Sequence, residues 1–511
     1  MSENAGRVPG KTMIVIGAGI AGLSAGCYAQ MSGYRSRIYE MQAKPGGLCT
    51  AWQRKGYTID YCIHWLTGSK PGGSMYRLWE EIGLVRGVEL VDLDELYRYE
   101  GEDGRVVVIY RDLDRTERAL AELSPTDAPL VRKFFGAARK MAGKDIMADV
   151  PPRELMGPIG GLKMMPRLLP YLRPYRKWGR QTLDEVAARF HDPLLARAFR
   201  AMWPPQSSAF FMVMTFAMLH EGAAGYPIGG SLPLARNVER RYLELGGEVS
   251  YGARVDEILV EGGRAVGVRL EGGFEERADV VVSAADGHAT IYGMLGGRYV
   301  GEVQRDLYER NALPLFTSII FIGVGVGRDL SDEPQIVTGS DVPLAQVFDL
   351  GGRTYDRLHV RIHNFDPTLA PQGKTVLTCM LEADEPYWQR LRADDKARYE
   401  AEKRLVADAV VATLERRYPG LTSQVEMTDV STPATLVRYT GNWRGSFEGW
   451  LPTPEWQMKD VPRTLPGLSG FWMVGQWVAP GGGLPSGPMS ARQVQQLICK
   501  GDGVKFRTSV A

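Results

Sequence analysis

Four residues near the start of the chain have the types and spacing that nucleotide binding requires. Gly17, Gly19 and Gly22 form a GxGxxG pattern directly after an apolar run at 13–16, and Glu40 follows Gly17 by 23 residues. Such glycines permit a tight turn, let the backbone approach a pyrophosphate and allow close helix-to-strand packing, while the carboxylate accepts hydrogen bonds from ribose hydroxyls. We therefore predict a dinucleotide site whose ribose carries no phosphate.

A second glycine pair favours a flavin nucleotide over a nicotinamide nucleotide. Gly46 and Gly47 follow Glu40 closely and bring more backbone towards the pyrophosphate. No second GxGxxG opens a small-residue helix, because the glycines at 323–327 run into Arg328 and Asp329. We predict FAD without a bound NAD(P)H domain, so that electrons leave to oxygen, a quinone or a second substrate.

Candidate acid–base residues are few. His64 lies in the segment from Asp60 to Trp65, and it is equally consistent with a proton-transfer group and with a structural histidine. Asp60, His220 and Glu221 are weaker candidates. The sequence has no paired carboxylates, no Ser/His/Asp set and no metal-ligand spacing among its five cysteines and six histidines. We predict no metal.

The elements that must position these residues alternate between strand and helix. A strand, a helix ending near Gly33 and a second strand at 37–40 make a unit of dinucleotide-binding size. Later segments predict a helix at 242–254, strands at 255–260, 265–270, 279–283, 315–324, 375–382 and 471–474, and helices at 395–418 and 491–499.

The fold class predicted from this pattern is mixed α/β. A discontinuous Rossmann-like, glutathione-reductase-type FAD domain comprises residues 1–86, 230–300 and 463–511. A discontinuous substrate domain of mixed sheet and helices comprises 87–229 and 301–462, with a helical part near 153–222.

Composition excludes several functional classes. Sixty-one basic and 60 acidic residues leave a net charge of +1, which argues against nucleic-acid binding. The N-terminus has no signal-peptide pattern and no apolar run is long enough for a membrane span, so we predict a cytoplasmic enzyme. Residues 155–172 are basic and amphipathic, typical of an ordinary packing helix or of peripheral membrane contact.

Together these motifs resemble a known family. The resemblance is carried by Gly17/Gly19/Gly22, Glu40, Gly46–Gly47, the segment 57–64, the segment 226–231, Ser283 to Asp286, Val474 to Trp477 and Gly481 to Pro485. The chain is similar over nearly its whole length to the phytoene desaturase branch of the flavin amine oxidase superfamily, and its 56–64 segment to retinol saturase and the carotenoid isomerases.

The resemblance implies roles for individual residues. Val255 would contact the adenine end, Ala285 and Asp286 would lie near the flavin, and Gly475 would approach the ribityl chain. A helix from Ser490 to Cys499 would point its N-terminus at the flavin ring. The implied cofactor-site set is Gly17, Gly19, Ile20, Ala21, Gly22, Glu40, Met41, Gly46, Gly47, Leu48, His64, Trp65, Val255, Ala285, Gly475, Gln476, Gly482, Gly483 and Leu484, with His64 and Asp286 as catalytic candidates.

The function implied is an FAD-dependent oxidoreductase, with non-covalent FAD, acting on a long hydrophobic polyene by hydride exchange at flavin N5. Desaturation, saturation and isomerisation all remain open, as does the oligomeric state. Alternatives are a phytoene-desaturase-like cyclase or reductase of polyketide-tetramate polyenes, a flavin amine oxidase, and a non-catalytic flavoprotein. The apolar segment 209–219 is expected to line a substrate tunnel, to form core, or to do both.

Overall fold

The computed structural model describes residues 10–144, 148, 150–456 and 461–510, without the side chains of residues 158 and 159. Its strands, in chain order, are β1 Thr12–Ile16, β2 Arg35–Tyr39, β3 Ala51–Arg54, β4 Tyr57–Asp60, β5 Leu66–Thr67, β6 Leu90–Val91, β7 Glu95–Glu100, β8 Val106–Tyr110, β9 Ala224–Pro227, β10 Glu248–Ser250, β11 Val255–Glu261, β12 Arg264–Leu270, β13 Glu275–Arg277, β14 Val280–Ser283, β15 Ile319–Val326, β16 Ile336–Leu350, β17 Arg353–Ile362, β18 Thr375–Glu382, β19 Val425–Ser431 and β20 Phe471–Met473.

The α-helices surround and separate these strands. In chain order they are α1 Ile20–Met31, α2 Ser74–Glu81, α3 Leu113–Leu123, α4 Ala128–Met141, α5 Pro158–Trp178, α6 Leu183–Ala187, α7 Pro193–Met202, α8 Ala209–His220, α9 Ser231–Glu244, α10 Glu302–Tyr308, α11 Glu385–Asp394, α12 Lys396–Arg417, α13 Pro433–Thr440 and α14 Gly483–Gly501.

A five-stranded parallel sheet, in the order β10-β2-β1-β14-β20, lies at the centre of the nucleotide-binding region. Side chains alternate across it, because successive residues of a strand face opposite sides. Met13 and Val15 of β1 join the core formed with α1, α9 and α14, whereas Ile14 and Ile16 join the core formed with the β11-β12-β13 sheet. Apolar cover on both faces explains why β1 reads as a continuous apolar run.

The second large sheet has seven strands in the order β19-β15-β18-β17-β16-β7-β8. Its neighbouring strands are antiparallel except for β16 and β7, which run parallel. Helices α3 to α8 form a separate helical layer whose core is rich in phenylalanine, with Phe134, Phe199 and Phe216 in edge-to-face contact.

The five parallel strands come from three stretches of the chain, around β1–β2, β10–β14 and β20. The seven-stranded sheet takes β7 and β8 from the stretch before α9 and its other strands from the stretch after α10. The domain boundaries 1–86, 230–300 and 463–511 against 87–229 and 301–462 remain a prediction.

One helix was predicted at the wrong place, and another was predicted to begin too late. The helix expected at 242–254 lies at Ser231–Glu244. It ends there because Gly246 and Gly247 favour a turn, after which β10 begins at Glu248. The C-terminal helix begins at Gly483 and not near Ser490, although its first turns contain Pro485 and Pro488. Pro485 lies in the first turn and loses no helical hydrogen bond, since those N–H groups have no partner inside the helix. Pro488 lies inside the helix, where it supplies no N–H to the carbonyl four residues before it.

Candidate active site

The first glycine loop forms a tight turn between β1 and α1. Gly17 has a φ of +96°, and its N–H donates to the carbonyl oxygen of Tyr39 at 2.8 Å. A Cβ on Gly22 would overlap the Gly17 carbonyl oxygen and lie 3.2 Å from the Cβ of Ala284. Gly22 therefore allows α1 to pack directly on the sheet, the task expected of it.

The second glycine pair lies against the start of α1. The Gly46 N–H donates to the Ala18 carbonyl at 2.9 Å, and Gly46 pairs with Gly19 in an isolated parallel bridge. Helix α1 begins after Gly19 without a side-chain cap. Its first N–H groups therefore point towards a surface made mostly of glycine backbone, which is the arrangement that binds phosphates.

Glu40 is buried at the end of β2. Its carboxylate accepts hydrogen bonds from the Ala18 N–H at 2.7 Å and from the Gln42 N–H at 2.8 Å. Burial raises its pKa, and the hydrogen bonds from Gln42 and Ala18 act in the opposite direction. A carboxylate has about four lone-pair positions, so sites for ribose hydroxyls remain after these two contacts.

The end of the chain closes over the same loop. Gly475 has a φ of +99°, and its N–H donates to Ser490 Oγ at 2.8 Å. A Cβ on Gly475 would lie 3.2 Å from the Cβ of Ala21, and one on Gly487 would lie 3.1 Å from the Ala21 nitrogen. The C-terminal segment thus covers the first turn of α1, and the residue that begins α14 at this point is Gly483.

All the predicted cofactor residues except Gly22 line one cavity of ≈ 2520 Å³. That volume is more than twice the upper end of about 1,000 Å³ for single-ligand sites, so it can hold a dinucleotide together with a second molecule. Gly22 is absent from the lining because it packs against the Gly17 turn.

Asp286 lines the cavity but is held by the backbone. One carboxylate oxygen accepts from the Ala289 N–H at 2.7 Å and the other from the Trp443 N–H at 2.8 Å. Burial raises the pKa of Asp286 to about 7, against the effect of these backbone hydrogen bonds. Its observed contacts tie the segment after β14 to the segment at Trp443.

His64 also lines the cavity, with Trp65 beside it. Burial lowers the pKa of His64 well below its usual value, and the charges of Arg361 and His359 lower it further. Both effects favour the neutral imidazole. The buried Arg361 guanidinium donates to the carbonyls of Ile63 at 2.7 Å and His64 at 3.1 Å, so Arg361 fixes this segment at the cavity wall. Sequence reasoning missed Arg361, which is distant in the chain.

Helix α8 divides its apolar side chains between cavity and core. Phe211, Met214 and Met218 line the cavity, whereas Val213 and Phe216 are fully buried in the helical core. Phe211 stacks on Trp203 with ring centroids 5.4 Å apart, and Trp203 contacts Phe316 edge to face. One face of this helix thus lines the cavity while the other forms core. Four aromatic residues of the cavity lining, called the aromatic wall below, are Trp203, Phe211, Phe316 and Phe447.

A polar cluster lines another part of the cavity. Tyr97 donates to Asp341, and His359 Nε2 lies 2.7 Å from the Thr338 carbonyl oxygen. Although burial lowers the pKa of His359, the nearby Asp341 carboxylate raises it, and the net direction is upward. The cavity therefore combines an aromatic wall with a cluster that can hydrogen-bond a polar group.

Comparisons with known proteins identify this arrangement. The model of the family described as flavin containing amine oxidoreductase matches residues 20–499. The chain belongs to this family. It is an FAD-dependent oxidoreductase.

Among curated relatives, a chloroplastic prolycopene isomerase of Daucus carota is 26% identical over 94% of this chain and 79% of its own length. A lycopene-forming phytoene desaturase of a Paracoccus species is 25% identical over 97% of this chain and 98% of its own. An oxidoreductase of Methanosarcina mazei has a similar structure, with a TM-score of 0.59 at 16% identity over 95% of this chain and 100% of that one. A putrescine oxidase variant gives 0.58 at 12% identity, over 96% and 99%.

The residues of this flavoprotein fit FAD. Glycine backbone occupies the positions where side chains would obstruct a pyrophosphate, at Gly19, Gly46 and Gly47, and Glu40 keeps free acceptor sites beside them. The cavity continues from there past Val255, Ala285 and Gly475 to the start of α14.

Sequence reasoning also missed Glu448. This side chain lines the cavity, and its Oε1 lies 3.5 Å from the position that a Cβ of Gly483 would take. Burial raises the pKa of Glu448 to about 8. A lone carboxyl between Phe447 and Gly449, in a stretch otherwise aromatic and rich in glycine, was the available signal.

Proposed function

We propose that this FAD-dependent oxidoreductase acts on C–C or C=C bonds of a long hydrophobic polyene. One observation carries the proposal: the cavity that begins at the nucleotide-binding glycines continues without a break to the aromatic wall and the methionines of α8. The names of the curated relatives, prolycopene isomerase and phytoene desaturase, support a substrate of this class.

Within this proposal, successive groups of cavity residues contact successive parts of the cofactor. The pyrophosphate is held by Gly17, Gly19, Ile20, Ala21, Gly46, Gly47 and Leu48. The adenosine ribose is bound by Glu40 and Met41, and the adenine by Val255. Ala285, Gly475 and Gln476 border the ribityl chain. His64, Trp65, Gly482, Gly483 and Leu484 surround the ring system. The FAD is bound non-covalently.

FAD supplies a two-electron acceptor or donor of hydride at its N5. The protein's own part is to exclude water and to hold an extended apolar molecule along the aromatic wall. Desaturation, saturation and isomerisation need the same placement, and the proposal includes all three. Electrons released by a net oxidation pass to oxygen or a quinone.

The polar cluster favours a second candidate, a polyene that carries a polar end. Tyr97, Asp341 and His359 line the cavity and hydrogen-bond to protein partners, and the Asp341 carboxylate keeps acceptor capacity that a polar end group could use. A polyketide-tetramate polyene would carry such a group, so the cyclase or reductase alternative stays open.

Anaerobic mixing of the purified holoenzyme with candidate polyenes tests the proposal. We expect loss of the visible flavin absorption, or conversion of the polyene, with apolar carotenoid precursors. Preference for polyenes with a polar end group over these hydrocarbons would favour the second candidate. Reaction with primary amines and with no polyene would contradict both.

We further propose peripheral membrane contact through α5. Its exposed apolar residues recur along the helix, with Leu162 74% and Leu169 59% accessible. Residues 158–178 contain five basic side chains and no acidic one. Apolar and basic surfaces together suit an anionic bilayer. No described helix combines the length and the apolar character needed to cross a membrane.

Liposome flotation tests this contact. The double variant Lys163→Glu/Arg173→Glu should float less than wild type with vesicles rich in phosphatidylglycerol. The control variant Arg240→Glu/Lys505→Glu makes the same charge change at exposed positions on other elements and should behave like wild type. Equal flotation of all three proteins would contradict the contact.

A further inference from the structure

Glu448 lies at the cavity wall, directly before a segment that is held by backbone hydrogen bonds. The Phe316 N–H donates to the Gly449 carbonyl at 3.0 Å, and the Leu451 N–H donates to the Pro314 carbonyl at 2.9 Å. On the other side the Gly481 N–H donates to the Trp450 carbonyl at 2.9 Å. Backbone hydrogen bonds to two separate segments therefore fix the chain that directly follows Glu448.

The carboxyl of Glu448 lies where the aromatic wall meets the glycine segment that starts α14. A Cβ on Gly482 would overlap the Glu448 backbone carbonyl, so only glycine permits this approach. The adjacent Phe447 packs on Phe316 with ring centroids 5.6 Å apart. The Glu448 carboxyl thus lies beside the backbone of Gly483, and the aromatic-wall residue Phe447 directly precedes it in the chain.

Among the residues that the structure describes, no hydrogen-bond donor or cation pairs with the Glu448 carboxyl. Asp286, another carboxyl in the cavity lining, has both oxygens occupied by backbone N–H groups. Burial and nearby charges lower the pKa of His64 and so favour its neutral form. A carboxyl that is removed from water without a donor or cation beside it is costly to keep ionised, and such a group is characteristic of acid–base sites.

We propose that Glu448 exchanges a proton with a substrate carbon, an inference that rests on the proposed function. In desaturation, one carbon of the reacting bond gives up hydrogen with its electron pair to FAD. The neighbouring carbon gives a proton to the Glu448 carboxylate, and the electron pair of that C–H bond becomes the second bond of the alkene. Saturation is the reverse, with Glu448 as the proton donor.

The protonation state of Glu448 should make the rates of saturation and desaturation depend on pH in opposite ways. Because burial raises the pKa of Glu448 to about 8, the carboxyl is mainly protonated at neutral pH. Protonation of a polyene carbon should therefore slow as the pH rises through about 8, whereas removal of a proton should accelerate. Within the described part of the chain, burial alone raises this pKa, and no neighbouring charge contributes.

The test compares the holoenzymes of wild type, Glu448→Gln and Glu455→Gln. Glu455 is a carboxyl on the following stretch of chain, outside the cavity lining, so it controls for the loss of one carboxyl group. We expect all three to retain one FAD per chain. Glu448→Gln should lose about 10²–10⁴-fold in turnover, the range of general acid–base catalysis, together with the inflection near pH 8. Glu448→Asp should recover part of the rate.

Two further readouts separate a proton-transfer role from a structural one. In heavy water the wild type should place solvent deuterium in its product or recovered substrate, and Glu448→Gln should not. An infrared difference spectrum between the two proteins should show a carboxyl that ionises near pH 8. Wild-type rate and wild-type deuterium exchange in Glu448→Gln would overturn the inference alone. A wild type that converts no polyene would overturn the proposed function, and this inference with it.

Discussion

Gly22 lies where α1 crosses the end of β1, and its missing side chain sets how closely the helix approaches the sheet. A Cβ there would overlap the Gly17 carbonyl, which belongs to the turn that carries the nucleotide-binding N–H groups. At the scale of single residues, the close packing of α1 on the sheet therefore depends on the absence of a side chain at Gly22.

We expect Gly22→Ala to lose FAD and stability together. Backbone on one side and Ala284 on the other leave the methyl group no room, and overpacking of this kind costs about 1–3 kcal/mol. Flavin absorbance per chain and the thermal midpoint measure the two effects. Gly136→Ala in α4 adds the same methyl group where only the end of Arg139 lies within 4 Å, and it should keep both properties. A Gly22→Ala protein that retains one FAD per chain would contradict this prediction.

Glycine roles of this kind were predictable from sequence because the turn, the helix start and Glu40 lie within one local unit. Glu448 was not, since its environment is made by Gly482, Gly483 and Phe316, which are distant along the chain. The same holds for Arg361 and the His64 segment. Burial and the lack of a partner are properties of tertiary packing, and a sequence motif does not encode them.

The buried carboxyl of Glu448 should also give stability a measurable dependence on pH. Its pKa is about 8 in the folded protein against an ordinary value of 4.5, so the native state binds the proton more tightly. The free energy of unfolding should therefore fall as the pH rises from about 4.5 to about 8, by about 1.4 kcal/mol for each pH unit within that interval. Glu448→Gln should flatten that part of the curve of thermal midpoint against pH; identical slopes would contradict it.

At the scale of elements, α8 serves two environments with one uniformly apolar sequence. Its cavity face and its core face are equally hydrophobic, so no amphipathic pattern distinguished them beforehand. The start of α14 was likewise hidden, because its glycines and prolines are typical of a loop. Strand β18 was predicted with its observed bounds, since it is a continuous apolar strand between turns.

Substitutions on the two faces of α8 should separate binding from folding. Phe216→Ala empties a fully buried core position and should destabilise the protein by about 3–5 kcal/mol, seen as a lower thermal midpoint. Met214→Ala enlarges the cavity and should change polyene preference and KM while the midpoint stays nearly constant. Equal effects of both substitutions on stability would contradict this division of the helix.

At the scale of the whole molecule, the proposed FAD site is built from parts of the chain that are far apart in sequence. The first glycine loop, the strand preceding Ala285 and the segment from Gly475 to Leu484 meet only in the folded sheet. A ligand that contacts all three should stabilise the complete fold.

Addition of FAD to apoprotein should raise the thermal midpoint, by the equivalent of about 2.7 kcal/mol at a free concentration 100 times Kd. FMN lacks the adenosine that Glu40 and Val255 are proposed to bind, so it should stabilise much less at the same concentration. Release of the flavin by acid precipitation would support non-covalent binding. Equal protection by FMN and FAD would contradict the assignment of the first glycine loop to the pyrophosphate and adenosine.

Strand β20 pairs with β14 at the edge of the parallel sheet. Because about 430 residues separate β2 from β20, the ribosome synthesises β1 and β2 well before β20. At a synthesis rate of about 5–20 residues per second, the first glycine loop leaves the ribosome roughly 20–90 s before the C-terminal segment that packs on it. During that interval the uncapped start of α1 and the apolar face of the sheet have no partner from the C-terminal segment. If the C-terminal segment completes the FAD site as proposed, tight capture of flavin should follow its synthesis, and the yield of folded protein in an expression host should respond to the flavin supply at that stage.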